Sequence, residues 1–110
     1  MARSKYGLIA DSVGTANTEL TQTISGVAGE AHVLFGVVGT YSNNGTGTLT
    51  VKDGDTTIAT YYIDDGNSGV GQCFTEGVAI TPGANLVCVL SAGGEAAVGA
   101  INTHYKTVGG

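Results

Sequence analysis

Thr46–Ile63 reads TGTLTVKDGDTTIATYYI, and the alternation within it decides the fold class. Leu49 and Val51 fall on one side while Thr48, Thr50 and Lys52 fall on the other, which is the two-residue period of a half-buried strand. Lys52-Asp53-Gly54-Asp55 has the chemistry of a tight turn, and a second strand follows over Thr56–Ile63. Within that strand Ile58 and Ile63 have opposite parity, which predicts a bulge or a corner between them.

The same grammar extends in both directions. Upstream, Glu19–Ser25 alternates with Leu20, Gln22 and Ile24 on one side, and Ala31–Thr40 (AHVLFGVVGT) is apolar on both faces, as a strand is when it is covered twice. Downstream, Val70–Thr75 and Gly77–Ile80 read as two short strands, Thr81-Pro82-Gly83-Ala84 as a turn, Asn85–Ser91 as a second doubly apolar strand and Ala96–Thr107 as the last one. Residues 1–17 read as an irregular N-terminal arm with a short strand at Tyr6–Ala10, residues 18–107 as the sandwich domain, and residues 108–110 as a flexible tail. No window keeps apolar residues at i, i+3, i+4 and i+7 free of glycine, so helices are not expected. The prediction is all-β: a single β-sandwich of about eight antiparallel strands, of jelly-roll type.

Composition narrows the function classes. The chain has 110 residues, enough for one domain with its own core, and no room for a second. Only 12% of residues are charged, with 19 glycines and many threonines in their place. Average proteins carry about 25%, so the surface is polar but sparsely charged, and the expectation is that much of it is covered in an assembly. A net charge of -5 with four basic residues builds no phosphate-neutralising patch, which excludes nucleic acid as the main partner. No apolar run approaches the ~18 residues of a membrane span, and the start of the chain lacks a signal-peptide core, so synthesis in a cytoplasm and no membrane partner are expected.

No catalytic constellation, cofactor cradle or metal set is expected from the motifs. Gly66-Asn67-Ser68-Gly69 is not a nucleophile elbow, and Gly45-Thr46-Gly47 and Gly69-Val70-Gly71 open no helix and carry no following Lys. Asp53/Asp55 and Asp64/Asp65 lack the ligand spacing of a calcium loop and read as solvated turn carboxylates, with a weak cation site as the alternative. His32 and His104 are not spaced as a zinc pair. For Cys73 and Cys88, a hairpin about Pro82-Gly83 places Cys73 about four residues from the point opposite Cys88, some 13 Å at ~3.3 Å per residue. A disulfide needs Cα atoms within ~7 Å; two free, mostly buried thiols are therefore expected rather than a bridge. Tyr61-Tyr62 puts one ring on each face of its strand, so one of them serves as an interface anchor or a sugar platform.

VLFGVVGT (Val33–Thr40), GTLTVKDGDTTIAT (Gly47–Thr60), GVAITPGANLVCVLSAGG (Gly77–Gly94) and AAVGAINTHY (Ala96–Tyr105), in that order and spacing, resemble small tailed-phage virion proteins that decorate or cement capsids. The resemblance implies a non-enzymatic structural protein of the virion surface, often a homotrimer, whose partner is the major capsid protein. It covers His32 to Tyr105 and transfers no functional residue. The partner contacts expected from the residues themselves are Arg3, Lys5, Tyr6 and Leu8 in the arm, with Val38, Tyr61 and Val87 in the sandwich. The alternative is a carbohydrate- or receptor-binding module of a phage tail or fibre.

Overall fold

The chain folds about the hairpin at Gly54-Asp55. In the computed structural model, which describes residues 8–64 and 69–109, β4 (Gly47–Asp53) runs into β5 (Thr56–Ile63) through these two residues, with Gly54 at φ 62°. Moving outward in sequence on both sides, β3 (Glu30–Tyr41) pairs with β6 (Gly69–Ala79), β2 (Leu20–Ile24) with β7 (Leu86–Leu90), and β1 (Leu8–Ala16) with β8 (Val98–Gly109), each antiparallel. The polypeptide is thus one long hairpin. Rolling it up adds the β3–β8 and β4–β7 pairings, which divides the strands into a first sheet of order β1-β8-β3-β6 and a second of order β2-β7-β4-β5. That order is the jelly roll expected from the sequence.

Alternation fills the space between the sheets. Leu49 and Val51 of β4, Leu86, Cys88 and Leu90 of β7, Leu34 and Val37 of β3, and Ile101 of β8 are all buried in one cluster. A polar layer crosses the same space. Gln22 of β2 accepts a hydrogen bond from the Thr103 hydroxyl of β8 and donates to Ser12 of β1, while the Cys88 thiol lies 3.6 Å from Thr103 Oγ1. The whole layer is satisfied internally, as burial of such groups requires.

Two bulges adjust the strands. Ile58 is the extra residue of β5 opposite Lys52; the bulge thus falls at Ile58 and not between Ile58 and Ile63, whose opposite parity reflects one residue facing out and the other in. In β3 the register passes from Leu34↔Tyr105 to Gly36↔His104, leaving Phe35 as the extra residue. The inward series therefore changes phase, from His32 and Leu34 to Val37, Gly39 and Tyr41, all buried.

Four other expectations need correction. Residues 8–16 are not an irregular arm but an edge strand paired with β8 from Leu8↔Tyr105 to Ala16↔Val98; its inward side carries the small Ala10 and Ser12, so hydrophobic alternation does not reveal it. Residues 108 and 109 are not a tail, since Val108 and Gly109 pair with Ala31 and Glu30. The two short strands at 70–75 and 77–80 are one strand, β6, whose irregularity faces the β3 bulge and includes Gly77 at φ 82°. Thr81-Pro82-Gly83-Ala84 is a turn, closed by Ala84 N–H on the Thr81 carbonyl at 2.9 Å, but it joins the two sheets and makes no hairpin. The Asp53 carboxylate ties it down by accepting from Thr81 N–H and from the Thr81 hydroxyl at 2.8 Å.

Candidate functional site

The outer face of the first sheet gathers apolar side chains that the core does not use. Strand pairing sets them in rows: Ile9–His104–Gly36–Cys73, then Asp11–Asn102–Val38–Gly71, then Val13–Ala100–Thr40–Gly69. Ile9 and Val13 are 65% and 68% exposed and Val38 is 42% exposed. Gly36, having no side chain, leaves a dent of about 140 Å³ walled by Phe35, Val38, Cys73 and His104. Lys106 Nζ lies 5.5 Å from the centre of the Phe35 ring, a cation–π contact at the rim. The β3 bulge creates this arrangement, because it turns Phe35 and Val38 outward from a strand whose other side is also apolar.

The expected contact residues divide. Val38 belongs to this face. Leu8 does not: it pairs with Tyr105 on the side of β1 that faces the interior, in register with Ala10 opposite the fully buried Thr103. Tyr61 also points inward, packs on the core and is half-buried, and burial raises its hydroxyl pKa above the usual value. Tyr62, at 73% exposure, is the outward ring. Val87 lies on the outer face of the second sheet between Thr23 and Lys52, so it and Val38 occupy opposite sides of the sandwich. Arg3, Lys5 and Tyr6 lie outside the described residues. Sequence reading missed Ile9, Val13, Phe35 and His104; the two-residue spacing of Ile9, Asp11 and Val13 was the signal available, carried on the outward side.

The remaining chemistry-bearing side chains serve the fold. His32 is buried on the inner side of β3, where Nε2–H donates to the Ser25 carbonyl at 2.8 Å and Nδ1 is hydrogen-bonded with the Thr107 hydroxyl at 2.9 Å. Tyr105 meets its ring edge-on at 5.6 Å. Both thiols are free, but only Cys88 is buried; Cys73 is exposed on the first sheet, and the two belong to different sheets rather than to one hairpin. Burial raises the Cys88 pKa, and the Thr103 hydrogen bond offsets part of that. Among the described residues no group of three or more His, Cys, Asp or Glu is placed to hold a metal ion. The outer face of the first sheet offers shape and apolar surface.

No protein-family model matches the chain, and no curated protein does. Among solved structures, a ruminal GH26 endo-β-1,4-mannanase aligns over 81% of this chain at 9% identity and a TM-score of 0.43, the chain spanning 18% of that enzyme. The CBM36-1 domain of a multidomain xylanase from the hindgut metagenome of Trinervitermes trinervoides aligns over 87% of this chain and 73% of its own, at 20% identity and a TM-score of 0.38. Disulfide-linked pili of Bacillus endospore appendages align over 96% of both chains at 13% identity and a TM-score of 0.35. At these identities and scores, nothing that those proteins bind or assemble with carries over to this chain.

Proposed function

We propose that the protein is a non-enzymatic structural protein of a phage virion, which decorates the capsid lattice and cements it by docking the outer face of the first sheet on the major capsid protein. The observation that supports this reading most is the exposure of Ile9, Val13 and Val38 around the Phe35 dent, on a chain only 12% of whose residues are charged. Burying such a face removes apolar area from water at roughly 25 cal/mol per Å². A single docking of this kind is modest, but a lattice repeats it, and simultaneous engagement multiplies it through effective concentration.

Particles stripped of the protein provide the test. Added back, the wild type is expected to bind and to give surface density in electron cryomicroscopy. Val38→Lys is expected to keep its melting temperature and lose binding, because Val38 faces outward; Val87→Lys, on the other sheet, keeps both. Full binding by Val38→Lys, or particles without density for the chain, would overturn the proposal.

A second reading rests on Tyr62, whose exposed ring stands between the hydroxyl-bearing Thr48 and Thr60 on the second sheet. An aromatic platform flanked by hydroxyls suits a carbohydrate- or receptor-binding module of a tail or fibre. A glycan array that stays blank removes that reading, whereas binding abolished by Tyr62→Ala replaces the first.

A further inference from the structure

Two asparagines stand at the tip of the connection between β3 and β4. Ser42-Asn43-Asn44-Gly45 follows β3, with Asn43 at φ 55° and Asn44 at φ 54°, in the left-handed region that asparagine enters more readily than most residues. The segment is pinned on both flanks. Ser42 N–H donates to the Val98 carbonyl at 2.9 Å, the Asn43 side-chain amide to the Ala96 carbonyl at 3.1 Å, and Thr46 N–H to the Gly93 carbonyl at 3.1 Å. Asn44 lies between these anchors, exposed, and its side chain makes no hydrogen bond among the described residues.

Packing dictates the residue after it. Gly45 is buried beside Tyr41, where a Cβ would lie 2.7 Å from Tyr41 Cβ and 2.8 Å from Ala97 Cβ, and this holds the position to glycine. A left-handed asparagine followed by an obligatory glycine sets an exposed side-chain amide beside a backbone nitrogen that no Cβ shields. That pair can close on itself. The Gly45 nitrogen attacks Asn44 Cγ, so that an N–C bond forms, the Cγ–Nδ2 bond breaks, and Nδ2 leaves as ammonia with the proton from the Gly45 N–H. Water then opens the five-membered imide at either carbonyl, giving aspartate or isoaspartate. No electron is transferred in either step.

The neighbouring candidates are restrained. Asp53-Gly54 has the same glycine, but its carboxylate accepts from Thr81 N–H and the Thr81 hydroxyl. Asn85 accepts from Gly26 N–H at 2.7 Å and is followed by Leu86. We propose that Asn44 is a self-modification site, which the folded chain converts to aspartate and isoaspartate with water as the only co-reactant. Each conversion adds one negative charge to a chain of net charge -5. The inference goes beyond the cement reading and is measured without any capsid.

The test incubates the full chain, folded, at mildly alkaline pH beside a sample unfolded in urea. The folded chain is expected to gain one mass unit, to release one ammonia per chain and to shift to a more acidic position on isoelectric focusing, with fragmentation placing the change at Asn44. Asn44→Gly, which keeps the left-handed conformation, and Asn44→Gln, whose ring would need six members, are expected to hold their starting mass over the same time. A folded chain that keeps its mass while the unfolded one converts overturns the proposal. So does conversion at another residue in place of Asn44, or conversion that persists in Asn44→Gly.

Discussion

Around Tyr41 the chain has dispensed with side chains to make room for one. Its ring is buried, its hydroxyl donates to the Ser91 carbonyl at 2.7 Å, and glycines stand where any Cβ would strike it. A methyl on Gly45 would lie 2.7 Å from Tyr41 Cβ and Cγ, and one on Gly93 would meet the edge of the ring at 2.5 Å. Gly36 is the contrast, because a methyl there meets the Gln72 carbonyl oxygen at 3.6 Å and His104 Cβ at 3.9 Å, ordinary contacts on an open face. Gly45→Ala is therefore expected to lower stability by about 1–3 kcal/mol through overpacking, and Gly36→Ala to change it by less than about 0.5 kcal/mol, both read from urea midpoints. The two thiols separate as sharply. Because Cys73 is exposed and Cys88 buried, Ellman titration of native protein kept reduced is expected to report one fast thiol per chain, and denatured protein two. Two fast thiols in the native state would contradict the burial of Cys88.

At the scale of elements, β1 shows how a strand escapes notice. Its inward residues Ala10 and Ser12 are small and lie beside Thr103 and Ile101 in the sheet, Ser12 accepting a hydrogen bond from Gln22; the bulkier Ile9 and Val13 face out. Deleting residues 1–10 removes the Leu8, Ile9 and Ala10 pairings to Tyr105, His104 and Thr103. The melting temperature is expected to fall by several degrees, since about 1 kcal/mol corresponds to roughly 4–8 °C in a domain of this size. An unchanged melting temperature would mean that these pairings contribute nothing. The β3 bulge works the other way. By adding Phe35 it lets one strand supply Leu34 and Val37 to the core and Phe35 and Val38 to the surface.

For the whole molecule, the buried acids set how stability responds to alkali. Cys88 and Tyr61 both have folded-state pKa values raised by burial, so between the unfolded and folded values the native state holds more protons than the unfolded one. Stability is then complete below the unfolded pKa values and falls as pH rises through the window above about pH 9. Urea midpoints are expected to be level from pH 7 to that point and to decline beyond it, and Cys88→Ala, although less stable throughout, should decline less steeply. Parallel declines in the two proteins would remove Cys88 from the explanation.

Local chemistry carried much of this protein's architecture. Alternation at Leu49 and Val51, the turn at Gly54-Asp55 and the inward Gln22 beside Leu20 and Ile24 were readable because each depends on neighbours a few residues apart. The site was less legible, since it depends on pairings between distant segments. A doubly apolar strand such as Val33–Thr40 does not say which side is core, and only pairing with β8 and β6, with the Phe35 bulge shifting the phase, turned Val38 out and Val37 in. Likewise Tyr61 and Tyr62 are equivalent in sequence until β4 fixes which faces the interior. Cys73 and Cys88, fifteen residues apart, were assigned to different sheets by the rolling of the long hairpin, because the non-local pairs β3–β8 and β4–β7 place β6 and β7 on opposite layers.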